Sequence, residues 1–138
     1  MSLNELIMVV LVVSVIAALS IPIFQKTAEK VRGDDAMAML RLLRAAEKVY
    51  YFDWGQLYVN LTVATSGPLV TEGYIQNPNG DSGRAFNYTV VSVVGPPPTF
   101  VGTATRRSGC NASPPVEFIT IDQNGTVSTA NWTPACVP

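Results

Sequence analysis

The sequence contains no histidine and only two cysteines among its 138 residues, and charged residues make up just 14% of it. Without histidine there is no imidazole to serve as a general base or metal ligand. Cys110 and Cys136 do not form a CxxC pair, and no phosphate-binding loop, dinucleotide fingerprint or nucleophile-and-base motif occurs. We therefore expect no enzymatic activity, no cofactor and no metal site.

The turn formed by residues 79–83 comes closest to a metal loop, because it contains side-chain oxygen atoms. Two or three such ligands fall short of the six to eight that calcium prefers. We interpret the segment as a plain turn, and Asp81 and Asp122 as turn residues rather than acid–base groups.

Charge is also missing from residues 6–24, where only Ser14, Ser20 and Pro22 interrupt an apolar run. As a helix this run spans roughly 28 Å, close to the hydrocarbon thickness of a bilayer. It is apolar all round, so it does not belong on the surface of a soluble domain. Pro22 removes one backbone hydrogen bond and predicts a bend or a loosened turn, and Ser14 adds to the weakness of this section.

Glu5 stands at the mouth of this run, where a carboxylate is costly unless it is paired. One interpretation pairs it with the α-amine of Met1 in a neighbouring chain, which would set the axial offset between two parallel helices. The other is that Glu5 is a first-turn acid lying among lipid headgroups. No basic region or small-residue cleavage site precedes the run, so we interpret the sequence as a processed chain.

The remaining chain predicts an α+β protein, with a long helix packed on an antiparallel sheet of about four strands. Residues 25–54 form an amphipathic continuation of the helix, with Val31, Leu40 and Leu43 facing inward and an end near residues 53–55. Gly33 marks a second bend or a close approach by a neighbour. Residues 55–83 form a loop with one short turn of helix within residues 69–75.

Strands are predicted from residue 84 onward by alternating β-prone residues. Their ranges are 86–94, 99–105, 116–122 and 126–129. Asn124-Gly125 is a strong hairpin signal between the last two strands. The resulting division is a hydrophobic segment at 1–24 and a globular head at 25–138.

Both ends of the chain resemble one family. Ser2-Leu3-x-Glu5-Leu6, followed by apolar residues that include Ala17-Ala18 and Ile21-Pro22, is similar to the mature N-terminus of type IV pilins and type II secretion pseudopilins. The C-terminal third resembles the sheet and disulfide-bounded region of pilins. Met1 stands where Phe is commoner, and Ser14 where many members have Gly.

The resemblance implies the pilin fold and a helical homopolymer with no enzymatic role. It also implies a prepilin peptidase, a methylated Met1 amine, pilus assembly machinery, and an inner-membrane pool that becomes an extracellular pilus for adhesion or motility. Two alternatives stay open. One is a minor or competence pilin that binds DNA or a receptor, and the other is a pseudopilin.

Further candidate residues lie in the head. In an exported domain Cys110 and Cys136 most simply form one disulfide, closing a loop of about 25 residues; two buried thiols are the alternative. Arg106 and Arg107, in a loop, are candidates for nucleic-acid contact, although a single pair adds little. Aromatic residues near the helix end, from Tyr50 to Tyr58, predict either a cap on the core or contacts between subunits. The N-x-S/T sequons are candidate glycosylation sites: Asn60, Asn87, Asn111, Asn124 and Asn131.

Overall fold

The computed structural model describes residues 2–55, 57–107 and 117–132. It is an α+β arrangement of one long N-terminal helix and a four-stranded antiparallel sheet, which confirms the predicted fold class. The elements in chain order are α1 (Leu3–Asp53), α2 (Gly67–Thr71), β1 (Phe86–Val93), β2 (Thr99–Arg106), β3 (Phe118–Asp122) and β4 (Val127–Asn131).

Helix α1 is 51 residues long and has a defined cap at each end. At its start, Ser2 Oγ accepts a hydrogen bond from the Glu5 amide at 3.4 Å, and Glu5 Oε2 accepts one from the Ser2 amide at 2.8 Å. This reciprocal pair is a capping box, which satisfies two amides that have no partner within the helix. At its end Gly55 takes a φ of +84°, the left-handed conformation that follows many helices, so the predicted end is confirmed.

The helix continues without interruption through position 22. Ser14 turns its hydroxyl back on the helix and donates to the Leu11 carbonyl at 2.7 Å. Back-bonding of this kind slightly destabilises a helix. The flexibility expected at Ser14 and Pro22 stays a prediction.

The sheet is a simple meander in which each strand pairs with the next, in the order β1-β2-β3-β4. The long β1–β2 pair runs from Phe86 opposite Arg106 to Val93 opposite Thr99. Gly125, with φ of +94°, lies in the tight turn between β3 and β4, which confirms the hairpin signal. β2 extends one residue beyond the prediction and takes in Arg106, so the expectation that Arg106 lies in a loop is wrong.

The core lies between one face of α1 and one face of the sheet. The helix contributes Ala36, Leu40 and Leu43, all at most 1% exposed. They pack with buried residues of the strands: Phe86, Tyr88, Val90, Phe100, Ala104, Ile119 and Ile121. Full burial of one large apolar side chain stabilises a fold by about 1.5–3 kcal/mol, so this contact holds helix and sheet together. The predicted inward position of Val31 is wrong, because Val31 is 61% exposed.

The connecting segment covers the outer edge of β1. Leu61 and Val90 exchange backbone hydrogen bonds of 3.0 and 2.8 Å. The Asn79 side chain adds a second pair, donating to the Tyr88 carbonyl at 2.8 Å and accepting from the Tyr88 amide at 2.7 Å. These bonds satisfy an edge that would otherwise be free to pair with another chain. The short helix α2 buries Leu69 in the core.

Gly33 marks a close approach, one of the two interpretations predicted for it. The Trp132 indole, just after β4, lies so close to Gly33 that a Cβ there would overlap the ring. Trp132 also packs against the core cluster. A glycine is therefore required here by packing, although it weakens the helix by about 1 kcal/mol relative to alanine.

We expect Gly33→Ala to lower the free energy of unfolding by about 1–3 kcal/mol, because the methyl group displaces the indole. In a Trp132→Ala background the same substitution should instead stabilise the protein by up to about 1 kcal/mol, since only the gain in helix propensity remains. Thermal and chemical denaturation of the four variants, followed by circular dichroism, measures this reversal. Equal effects of Gly33→Ala in both backgrounds would contradict the packing explanation.

Candidate assembly surface

The first half of α1 exposes apolar side chains on every side. Large apolar residues from Leu6 to Ile16 keep between 51% and 73% of their surface exposed. By length and composition α1 is able to cross a membrane, and none of its most apolar window is buried in the structure. A signal sequence or the core helix of a soluble protein also meets these criteria of length and composition, so they define only a membrane-span candidate.

The second half of α1 has two apolar stripes on opposite sides. The inward stripe follows three- and four-residue steps through Gly33, Ala36, Leu40 and Leu43. At 100° per residue, a second set with the same spacing points directly away from the sheet. We call this set the outward stripe, and its members are all exposed: Val31, Ala38, Leu42, Ala45, Val49 and Phe52.

The outward stripe is large and accessible in the subunit. Leu42, Val49 and Phe52 are 52%, 50% and 78% exposed. Ala38 and Ala45 lie between the large residues and offer low points where another helix can approach closely. A groove of about 500 Å³ lies beside the stripe, between α1 and residues 73–77. Leu42 belongs to the stripe and also lines this groove. A continuous apolar patch of this kind is typical of an interaction surface.

Charged residues flank the outward stripe without crossing its centre. Asp34 and Arg41 are exposed, about 40–60° to one side of it. The ion pairs found within the described residues use neither side chain. This arrangement, an apolar centre with a polar margin, is the usual anatomy of a protein interface.

Glu5 has an intrachain role in the structure. Its carboxylate closes the capping box with the Ser2 amide, and it lies where the helix dipole favours negative charge. Sequence reasoning placed Glu5 in the first turn but did not identify the capping box, although Ser-x-x-Glu is its signature. Met1 lies outside the described residues, so pairing of Glu5 with a neighbour's amine stays a prediction.

A buried ion network joins the start of the head helix to the sheet. Arg106 Nη2 bonds Glu29 Oε2 at 2.6 Å, and Arg32 Nη1 bonds Glu29 Oε1 at 2.5 Å. Glu117 Oε2 lies 3.5 Å from Arg106 Nη1. Glu29 and Arg106 are only 6% and 8% exposed, so each buried charge needs the other to compensate for its lost hydration. The sequence analysis predicted neither the burial of Glu29 nor its partner from β2.

Arg107 fastens the 79–81 turn to the end of β2. Its guanidinium donates to the carbonyls of Asp81 at 2.7 Å and Asn79 at 3.0 Å, and to the side chain of Asn87. Both arginines considered for nucleic-acid contact are therefore engaged within the chain. Their placement lends no support to phosphate binding.

The turn formed by residues 79–83 uses its oxygen atoms locally. Asp81 Oδ1 accepts from the Gly83 amide at 2.8 Å, and the Asn79 side chain is paired with Tyr88. No group of three metal-binding side chains occurs in the part of the chain that the structure describes.

The sequons occupy different environments. Asn60 Oδ1 accepts from the Ser92 amide at 2.7 Å, and Asn87 bonds Arg107. Asn124 and Asn131 are exposed, in the β3–β4 turn and at the end of β4. Asn111, Cys110 and Cys136 lie outside the described residues.

The aromatic residues near the helix end stack in pairs. Tyr51 and Tyr58 are stacked with ring centroids 4.7 Å apart, and Tyr58 meets Phe100 edge-on at 4.7 Å. Tyr50 and Trp54 stack at 5.9 Å. Tyr50 and Tyr58 pack against the core cluster. These two residues confirm the predicted cap where helix meets sheet, whereas Phe52 and Trp54 are 78% and 56% exposed and do not cover the core.

The chain matches no protein-family model, and comparisons with curated proteins and with solved structures give no match. Functional conclusions therefore depend on the geometry described above.

Loss of the buried guanidinium should be costly. We expect Arg106→Ala to lower the free energy of unfolding by about 3–5 kcal/mol, because Glu29 is left buried without its main partner. Arg32 bonds the same carboxylate, but its side chain is 54% exposed, so Arg32→Ala is a matched control expected to cost less than about 1 kcal/mol. Denaturant titration of both variants tests this. Similar losses in the two would show that burial of the Arg106 pair is not what matters.

Proposed function

We propose that this protein is the structural subunit of an extracellular filament of the type IV pilus kind. In this proposal the first half of α1 anchors the subunit in the inner membrane before assembly. The same half then packs with copies of itself in the core of the filament, so the partner is a second copy of this chain. The protein acts as a scaffold and catalyses no reaction.

The observation that carries the proposal is the length of the exposed apolar surface on α1. A bilayer covers roughly 28 Å of helix, which residues 6–24 already fill. The outward stripe continues the apolar surface from Val31 to Phe52, roughly another 30 Å beyond the lipid. A membrane anchor alone leaves this stripe in water, whereas neighbouring helices in a filament bury both parts together.

The energetics suit reversible assembly. Lipid tails and apolar helices offer similar surroundings, so moving residues 6–24 from one to the other changes little hydrophobic free energy. Contacts on the outward stripe then favour the assembled state, because this surface is in water in the free subunit. A head-to-tail contact repeats without closing and so builds a fibre.

In this proposal the Glu5 carboxylate decides the axial position of each subunit. Once the capping box forms, the carboxylate is held at the helix start by the Ser2 amide, at the mouth of the uncharged run of residues 6–24. A positive group from a neighbouring chain would neutralise it there, and only one offset between helices brings the two groups together. The minor-pilin alternative receives less support, because both candidate arginines are engaged within the chain.

We expect Glu5→Ala to give a folded, membrane-held subunit that assembles poorly, since breaking a buried charge pair costs about 3–5 kcal/mol per subunit. Glu5→Gln separates charge from capping, because glutamine also completes a capping box. Filament yield in sheared surface fractions, compared with subunit in membranes, provides the measurement. Normal filaments from Glu5→Gln would rule out a charge pair, and normal filaments from both variants would rule out any assembly role for this residue.

The outward stripe can be tested without disturbing the head. Ala45 is exposed and points away from the sheet, so Ala45→Glu should change the free energy of unfolding by less than about 0.5 kcal/mol. It should nevertheless abolish filaments, because the charge would be buried unpaired against a neighbour. Ser82→Glu, in an exposed turn, is the control and should assemble normally. Abundant Ala45→Glu filaments would exclude the stripe from the assembly contact.

A further inference from the structure

Glu47 is a buried carboxyl group that forms no ion pair within the described residues. It lies on the inward face of α1, close to the helix end, and is 0% exposed. Its Oε2 accepts a hydrogen bond from the Val59 amide at 3.1 Å. Its Oε1 is buried and has no hydrogen-bond partner within the described residues.

Glu29 is the natural comparison, because it lies five turns earlier on the same face of α1. Both of its oxygen atoms are ion-paired, with Arg32 and Arg106. No ion pair within the described residues includes Glu47. The two carboxyl groups therefore differ: the charge of Glu29 is compensated by two arginines, whereas a charge on Glu47 would not be compensated by an ion pair with any described residue.

The surrounding ionisable groups do not neutralise Glu47. On α1 they are Arg44, Lys48 and Tyr51, and on the following segment Tyr58. The Arg44 guanidinium is engaged with the carbonyls of Gln123 and Asn124, both at 3.1 Å.

The strands do not supply a partner for Glu47 either. Their ionisable side chains are Tyr88, Arg106 and Asp122. Arg106 is paired with Glu29, and Asp122 accepts a hydrogen bond from the Thr126 amide. β4 contributes none.

The Val59 contact ties the helix to the segment that covers the edge of β1. Within residues 57–61, Tyr58 stacks on Tyr51, and Leu61 pairs with Val90. The Asn60 side chain accepts a hydrogen bond from the amide of Ser92, which lies on β1 together with Val90. A change at Glu47 therefore acts on residues 57–61, which contact both the end of α1 and the edge strand β1.

We propose that Glu47 is a proton-dependent latch: its neutral carboxyl group holds residues 57–61 against the core, and ionisation loosens them. A neutral carboxyl group can stay buried with Oε1 as a hydroxyl, at a cost of about 1–3 kcal/mol for the unmade hydrogen bond. An ionised carboxylate in the same place needs water, and Oε1 is buried out of reach of water while the segment is closed. The latch requires only the subunit and does not rest on the proposed filament.

The direction of the pH effect follows from proton binding. Burial raises the pKa of Glu47 from 4.5 to about 7, and the Val59 amide partly opposes this because it favours the charged form. The closed segment therefore binds the proton more tightly than the open one, so opening releases a proton. Opening becomes easier as the pH rises from about 4.5 to 7 and levels off above that range.

Hydrogen–deuterium exchange of the full chain in detergent micelles tests the latch. After correction for intrinsic exchange rates, we expect opening of residues 57–61 to increase roughly 50-fold between pH 5 and pH 8. Glu47→Gln cannot ionise and should remove this pH dependence. Glu72→Gln changes an exposed carboxyl group near α2 and should keep the wild-type profile.

A flat profile for residues 57–61 in the wild-type chain, or an unchanged profile in Glu47→Gln, would overturn the latch. Should Glu47→Gln not fold, the wild-type chain labelled with ¹³C at glutamate still decides. Infrared difference spectra between pH 5 and pH 8 should then show a protonated carboxyl group lost with a midpoint near pH 7. A titration in which no glutamate loses its proton above about pH 6 would refute the proposal, because ordinary glutamates with a pKa near 4.5 are almost fully ionised by then.

Discussion

The helix α1 has more apolar surface than its own head can cover, and this constraint governs the rest of the structure. The sheet buries one stripe of the second half, from Gly33 to Leu43, in the core. It leaves the opposite stripe exposed, and likewise residues 3–18 and 23–24 of the first half. A soluble helix usually presents a polar face to water. Because α1 does not, its exposed surface needs a second apolar environment, and the proposed filament provides it.

The inward face of α1 also carries two carboxyl groups, and their surroundings give them different roles. Glu29 is compensated by Arg32 and Arg106, so it fixes the start of the head helix against the end of β2. Glu47, near the other end of the contact, forms no ion pair in the part of the chain that the structure describes. An ion pair with several hydrogen bonds makes a site rigid, while an uncompensated acid makes it responsive to protons. The helix–sheet contact is thus fixed by ion pairs at the Glu29 end, whereas in the proposed latch it responds to proton binding at the Glu47 end.

The start of α1 shows how one residue serves both local and assembly requirements. Ser2 and Glu5 satisfy each other's amides, which gives the exposed helix a defined first turn. The hydrogen bond from the Ser2 amide also fixes the position of the Glu5 carboxylate along the helix axis, its height on the helix. In the proposed filament that definite height matters, because an apolar helix surface alone has no feature that selects one axial offset.

Local signals determined much of the fold from the sequence alone. The long helix, its end near Gly55, the four strands and the β3–β4 turn all follow from periodicity, turn residues and propensity. The apolar first half of the candidate surface was also evident, because a run without charge needs no tertiary information to be recognised. Tertiary structure decided which side of the second half is buried. Both sides carry apolar residues at helical spacing, so periodicity could not place Val31 outside or Glu29 inside. Nor could it bring Arg106 to Glu29 or Trp132 to Gly33, since these partners are far apart in the chain and meet only when the sheet packs across the helix.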